Sequence, residues 1–120
     1  MSNINDLHDQ AMAYVDQAFL AERRGDLTGA REHYCEALKF EIEAAELLRE
    51  ELTIEPSRSV LYRSAASIAV SCGHYREAER LIAVALAGKP PREIADELQT
   101  LLEQVRAELH LIGNTPTPDH

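Results

Sequence analysis

The chain has 120 residues, 45% hydrophobic and 28% charged, with 5% aromatic and no Trp. That suffices for one domain with a real core but not for two, and a core of Ala, Leu, Ile and Val at so low an aromatic content favours packed helices over a sheet. The net charge of −9 is concentrated in residues 1–56, where 13 acids face 5 bases; it repels phosphate and anionic lipid, so neither nucleic acid nor a membrane surface is an expected partner.

From Leu7 to Arg24 the residues Leu7, Ala11, Tyr14, Val15, Ala18, Phe19 and Ala21 recur at helical steps. Asn5 or Asp6 is placed to cap this first helix, Gly25 to end it and Asp26 to cap the next. A second helix from Leu27 or Thr28 carries Ala30, Tyr34, Ala37, Leu38, Ala45, Leu48 and Leu52 on one stripe. With neither Gly nor Pro between Gly29 and Pro56, it is expected to run to about Leu52. The same segment holds Glu32, Glu36, Glu41, Glu43, Glu46, Glu50 and Glu51, which read as a solvated face or, alternatively, as a surface for a basic partner.

Pro56 marks a third helix, capped by Thr53 or Ser57, with Val60, Leu61, Ala65, Ile68, Ala69 and Cys72 inward and Gly73 at its end. A fourth helix runs from about Tyr75 to Ala87, and Gly88, Pro90 and Pro91 stop it. Pro91 suits the first turn of a fifth, whose stripe is Ile94, Leu98, Leu101, Leu102, Val105 and Leu109. Residues 1–112 thus form one domain, and the tail 113–120, "GNTPTPDH", has nothing to bury and reads as disordered.

Aligned on their glycines, the two turns pair Gly25 with Gly73, Leu27 with Tyr75, Ala30 with Ala78, Tyr34 with Ile82 and Ala37 with Ala85. The second copy, completed by Pro90, resembles the tetratricopeptide repeat, in which small residues let the two helices of a hairpin approach closely. In the first copy the closing Pro position holds Ile42 and the helix continues; the glycines lie 48 residues apart against a family period of about 34, so the second helix carries an extension. Residues 55–105 are also similar to a segment found in small bacterial tetratricopeptide-like proteins, a likeness that implies no activity. "GDLTGAREHYCEAL" is similar to the microtubule-interacting and trafficking domain, which leaves the third and fourth helices unaccounted for.

The tetratricopeptide resemblance implies an all-α fold of two antiparallel helical hairpins with an extended second helix, a C-terminal capping helix and a right-handed superhelix. It implies a protein-interaction module, with a peptide or helix of a partner lying in a groove lined by the first helix of each hairpin. Carried onto this sequence, the groove positions are Met12, Val15, Phe19, Arg23, Val60, Arg63, Ser67 and Val70. The family's carboxylate-clamping positions hold Val15, Phe19, Val60 and Ser64, so binding of a chaperone tail is not expected. Arg58 and Arg63, near a helix start, form a candidate anion site. Phe40, Ile42 and Ile54 extend the apolar surface and lead to the expectation of a homodimer.

Cys35 and Cys72, 37 residues apart with no metal-ligand spacing around either, read as two free, partly buried thiols in a reducing cytosol. The five His residues form no HxxxH, HExxH or Cys/His motif, and there is no nucleophile elbow or phosphate-binding glycine loop. No catalysis, cofactor or metal is expected. The start "MSNINDLHDQ" is unlike a secretory signal, and the longest apolar run, "LIAVALA", is too short to span a bilayer; the expected location is cytoplasmic.

Overall fold

The computed structural model describes residues 3–114 and is helical throughout, with five helices and no strand among the described residues. Helix α1 spans Ile4–Arg23, α2 Leu27–Glu46, α3 Ser57–Cys72, α4 Tyr75–Leu86 and α5 Arg92–Asn114. Asn3, rather than Asn5 or Asp6, caps α1 by accepting the Asp6 N–H at 2.8 Å. Asp26 caps α2 through the Gly29 N–H at 2.9 Å.

The same local chemistry builds the α1–α2 and α3–α4 turns. Gly25 and Gly73 take φ of +79° and +82°, left-handed conformations that an L side chain avoids. In the first turn Gly25 N–H bonds Glu22 C=O and Asp26 N–H bonds Ala21 C=O; in the second, Gly73 N–H bonds Val70 C=O and His74 N–H bonds Ala69 C=O. Each pair satisfies helix-end carbonyls in the manner of a Schellman motif. The aligned Ala30, Ala78, Ala37 and Ala85 are all buried, so these positions allow close approach within each helix pair.

The helices pack in chain order, α1 on α2, α2 on α3, α3 on α4 and α4 on α5, with α5 also reaching α3. No α1 Cα atom lies within 8 Å of an α3 Cα atom, while α2 packs on both. Alanines line much of the interior: Ala11, Ala18, Ala21, Ala44, Ala45, Ala65, Ala66 and Ala69 are fully buried. The larger buried side chains include Tyr62, Leu7, Leu81, Ile82 and Leu98.

Three expectations need correction. Helix α2 stops at Glu46, not near Leu52. Beyond it the chain tightens through Leu48 N–H to Ala45 C=O, Arg49 N–H to Glu46 C=O and Glu51 N–H to Leu48 C=O, and Arg58 Nε takes the Arg49 carbonyl at 3.0 Å. Neither Thr53 nor Ser57 caps α3; the Glu55 carboxylate accepts the Ser59 N–H at 3.0 Å and the Ser59 hydroxyl at 2.7 Å. Gly113 and Asn114 belong to α5 rather than to the tail, and residues 115–120 of the expected disordered tail lie outside the described residues.

Arg58 secures the α2–α3 connection and the end of α4. It is 2% exposed, and besides the Arg49 carbonyl it donates to Val84 C=O at 3.2 Å and Ala85 C=O at 3.5 Å. These α4 carbonyls lie in the last turn, where a cation is also favoured by the helix dipole. The guanidinium stands 5.2 Å from the centre of the Tyr62 ring, and a Cβ at Gly88 would collide with it. Tyr62, buried beneath it, donates its hydroxyl to Glu46 at 2.9 Å. Burial, then the hydrogen bond to Glu46, pushes the Tyr62 phenol up to about 12.

Arg58→Met preserves the aliphatic stem but strands carbonyl acceptors; at about 1–3 kcal/mol per buried unsatisfied group, urea unfolding should show a loss of about 3 kcal/mol. The raised Tyr62 pKa means the folded state holds this proton more tightly than the unfolded chain, whose phenol has the ordinary value of 10.0. Stability from this group is therefore complete below pH 10 and falls as pH rises towards about 12. Tyr62→Phe should flatten that decline and remove a late component from the tyrosinate absorbance titration.

Candidate functional site

The expected groove positions fall in two sets, on α1 and on α3. On α1, Met12 and Val15 are half-buried against the core, Arg23 is exposed, and Phe19 is 51% exposed with its ring edge-on to Tyr34, centres 6.2 Å apart. On α3, Val60 and Val70 are half-buried against the core and Ser67 is exposed. Arg63 Nη1 bonds Glu97 of α5 at 3.0 Å, and Arg63 and Ser67 share a groove of about 500 Å³ with Asp96, Glu97, Thr100 and Leu101. The structure thus brings the polar α3 positions to α5, and the α1 and α3 backbones do not approach within 8 Å.

Between those sets lies a polar tie. Glu41 of α2 has no solvent exposure; His8 Nδ1 of α1 meets its two carboxylate oxygens at 2.9 and 3.0 Å, and Ser64 of α3 donates its hydroxyl at 2.5 Å. The Glu-rich face of α2 is therefore partly internal. Glu46 is also engaged, accepting from Tyr62 and pairing with Arg49 and Arg80.

The candidate anion pair does not assemble. Arg58 is buried with its donors on backbone carbonyls, whereas Arg63 faces α5 and pairs with Glu97. Arg58 is withdrawn from any external anion because it would have to abandon acceptors at the end of α4 to reach one.

A larger concavity, of about 810 Å³, opens where α2, the α3–α4 turn and the end of α5 meet. Cys35, Leu38 and Ile42 line it from α2, Tyr75 from the start of α4, and Leu109 and Ile112 from α5. Lys39, Arg76 and Glu77 add charge to its lining. The neighbouring Arg80 guanidinium, by hydrogen bonding, holds the Glu77 carboxyl below its usual range against the opposing effect of burial. The signal in the sequence for the α2 contribution is Cys35 and Ile42, three before and four after Leu38 of the core stripe. Its partners, the turn and the last turns of α5, are brought to it only by tertiary packing.

Cys35 and Cys72 are joined by a disulfide, with Cα atoms 5.3 Å apart, which corrects the expectation of two free thiols. The reason is spatial: α2 packs on α3, and that packing sets Cys35 against the last residue of α3. His74, two residues beyond Cys72, brings an imidazole nitrogen to within 4.8 Å of both sulfurs. These are soft and borderline donors of the kind that hold zinc, from positions that no linear motif connects.

Comparison with family models, curated proteins and solved structures finds no match to this chain.

The disulfide closes a loop with a sequence separation of 37 residues. Loop-closure entropy for such a span is about 3–4 kcal/mol. Cys35→Ser with Cys72→Ser should lower unfolding stability by that order in metal-free buffer. Adding a reductant should leave this double variant's melting temperature unchanged while lowering that of the native chain.

Proposed function

We propose that the chain is a protein-interaction module of tetratricopeptide-like design that captures an apolar helix or extended peptide of another protein and performs no covalent chemistry. The observation that carries this reading is the open, apolar cleft of about 810 Å³ bounded by Leu38, Ile42, Tyr75, Leu109 and Ile112. Ile112 remains 57% exposed beside it, so apolar area is left for a partner to cover. The repeated left-handed glycine turns and buried alanines support the two-hairpin, superhelical reading.

The cleft supports this site better than the groove positions carried from the family, because Met12, Val15, Val60 and Val70 are already packed against the core. It also favours apolar capture over docking through the acidic helix, since Glu41 is internal and Glu46 is engaged with Tyr62, Arg49 and Arg80. A homodimer is the corresponding reading if the occupant is a second copy. Phe40, one of the residues behind that expectation, stacks on Tyr14 with ring centres 5.9 Å apart, and Ile42 lines the cleft. No helix among the described residues is long and apolar enough to cross a membrane, and a cytoplasmic location remains part of the proposal.

The test is selection from a displayed peptide library, followed by affinity measurement on variants. Selected peptides should carry apolar anchors, lose at least tenfold affinity with Ile42→Glu, about 1.4 kcal/mol, and keep it with Phe19→Glu. Their affinity should change little with salt. Loss with Phe19→Glu or Arg63→Glu instead would return the site to the family groove, steep salt dependence would favour the acidic helix, and a library yielding no binder would contradict the module reading.

A further inference from the structure

We propose that Cys35, Cys72 and His74 form a redox-gated site for a thiophilic divalent cation, zinc by its chemistry, which becomes available when the disulfide is reduced. Two pieces of backbone supply the donors: α2, with Cys35, and the α3–α4 turn, with Cys72 and His74 on either side of Gly73. Two sulfurs and one imidazole nitrogen lie within 4.8 Å of one another. Tetrahedral zinc, with Zn–S about 2.3 Å and Zn–N about 2.0–2.1 Å, sets its donors roughly 3.5–3.8 Å apart. Once the sulfurs are no longer bonded to each other, side-chain rotation is enough to reach that spacing, because the two cysteine Cα atoms are already 5.3 Å apart.

The supporting shell is ordered on one side and free on the other. Cys72 is buried, and the turn that carries it is fixed by the Gly73 N–H bond to Val70 and the His74 N–H bond to Ala69. His74 is exposed, so its ring is free to turn, and Cys35 is half-buried in the cleft wall where a reductant can reach it. Cys35 and His74 both line the cleft, which places the fourth coordination position on that side, with Glu77 in the same lining. Such a position takes water or a donor from whatever occupies the cleft.

The chemistry balances with a dithiol reductant. Two electrons pass to the Cys35–Cys72 bond, the reductant becomes a disulfide, and its two protons yield two protein thiols. Zinc binding then releases both thiol protons to solvent, and the two thiolates neutralise the ion's charge. Either state cross-links α2 to α3, by sulfur–sulfur bond or by metal, so redox state changes the cleft wall without freeing the helices. In a reducing compartment a disulfide of this kind is transient, which is where such a gate operates.

The full chain, oxidised or reduced with a phosphine that does not compete as a ligand, is incubated with zinc, desalted and weighed by native mass spectrometry. One zinc per chain on the reduced monomer and none on the oxidised one are expected. Cobalt in its place should give a thiolate charge-transfer band. Cys72→Ser should abolish retention, and His74→Ala, which keeps both cysteines, should weaken it at least about tenfold. A reduced chain that retains no zinc, zinc held equally by His74→Ala, or zinc held by the oxidised chain would overturn the proposal. If reduction alone lowers the helical circular dichroism, zinc should restore it, and failure to do so would overturn the proposal as well.

Discussion

A buried carboxylate governs how the helices of this chain can sit on one another. Glu41 has no solvent exposure, and a carboxylate so placed is tolerated only if donors replace the water it has lost. His8 from α1 and Ser64 from α3 both reach it, and both contact Oε2. Because α1 and α3 do not approach closely through their backbones, α2 is the hub and Glu41 the polar tie that registers both neighbours on it. Alanine-rich faces supply close approach but little directional preference. The directional preference comes from the hydrogen bonds.

Arg58 plays the matching part at the start of α3. The turn after α2, the last carbonyls of α4 and the ring of Tyr62 all converge on its guanidinium. Glu41 and Arg58 thus fix α3 from both directions, one against α2 and the other against α4. The cleft is a consequence of that placement. With α3 fixed, Gly73 turns the chain so that His74 and Tyr75 face Cys35, Leu38 and Ile42, and α5 closes the remaining side with Leu109 and Ile112.

What the sequence made legible was local. The glycine turns could be read because a glycine between two amphipathic stripes supplies the left-handed residue on which a helix commonly ends, and Gly25 and Gly73 both adopt that conformation. The five helices followed from periodicity. The end of α2 at Glu46 was not legible because no Gly or Pro marks it, and the connection that follows is held by Arg58, nine residues beyond the Arg49 carbonyl it bonds. Glu55 as the cap of α3 was hidden by the more usual candidates Thr53 and Ser57. The Cys35–Cys72 bond and its neighbour His74 needed the packing of α2 on α3, which no spacing along the chain encodes. Met12, Val15 and Phe19 could be placed on a helix face, but their position relative to Val60 and Arg63 depends on how α1 and α3 each pack on α2.

The registering role of Glu41 is tested most directly by a double-mutant cycle on unfolding stability, pairing His8→Ala with Ser64→Ala in the native chain and again with Glu41→Leu. Two residues on helices whose backbones do not approach closely should still be coupled, by about 0.5–1 kcal/mol or more, because they share one buried carboxylate. That coupling should vanish once Glu41 is Leu. Additive effects in the native chain, or a coupling that survives Glu41→Leu, would contradict that role.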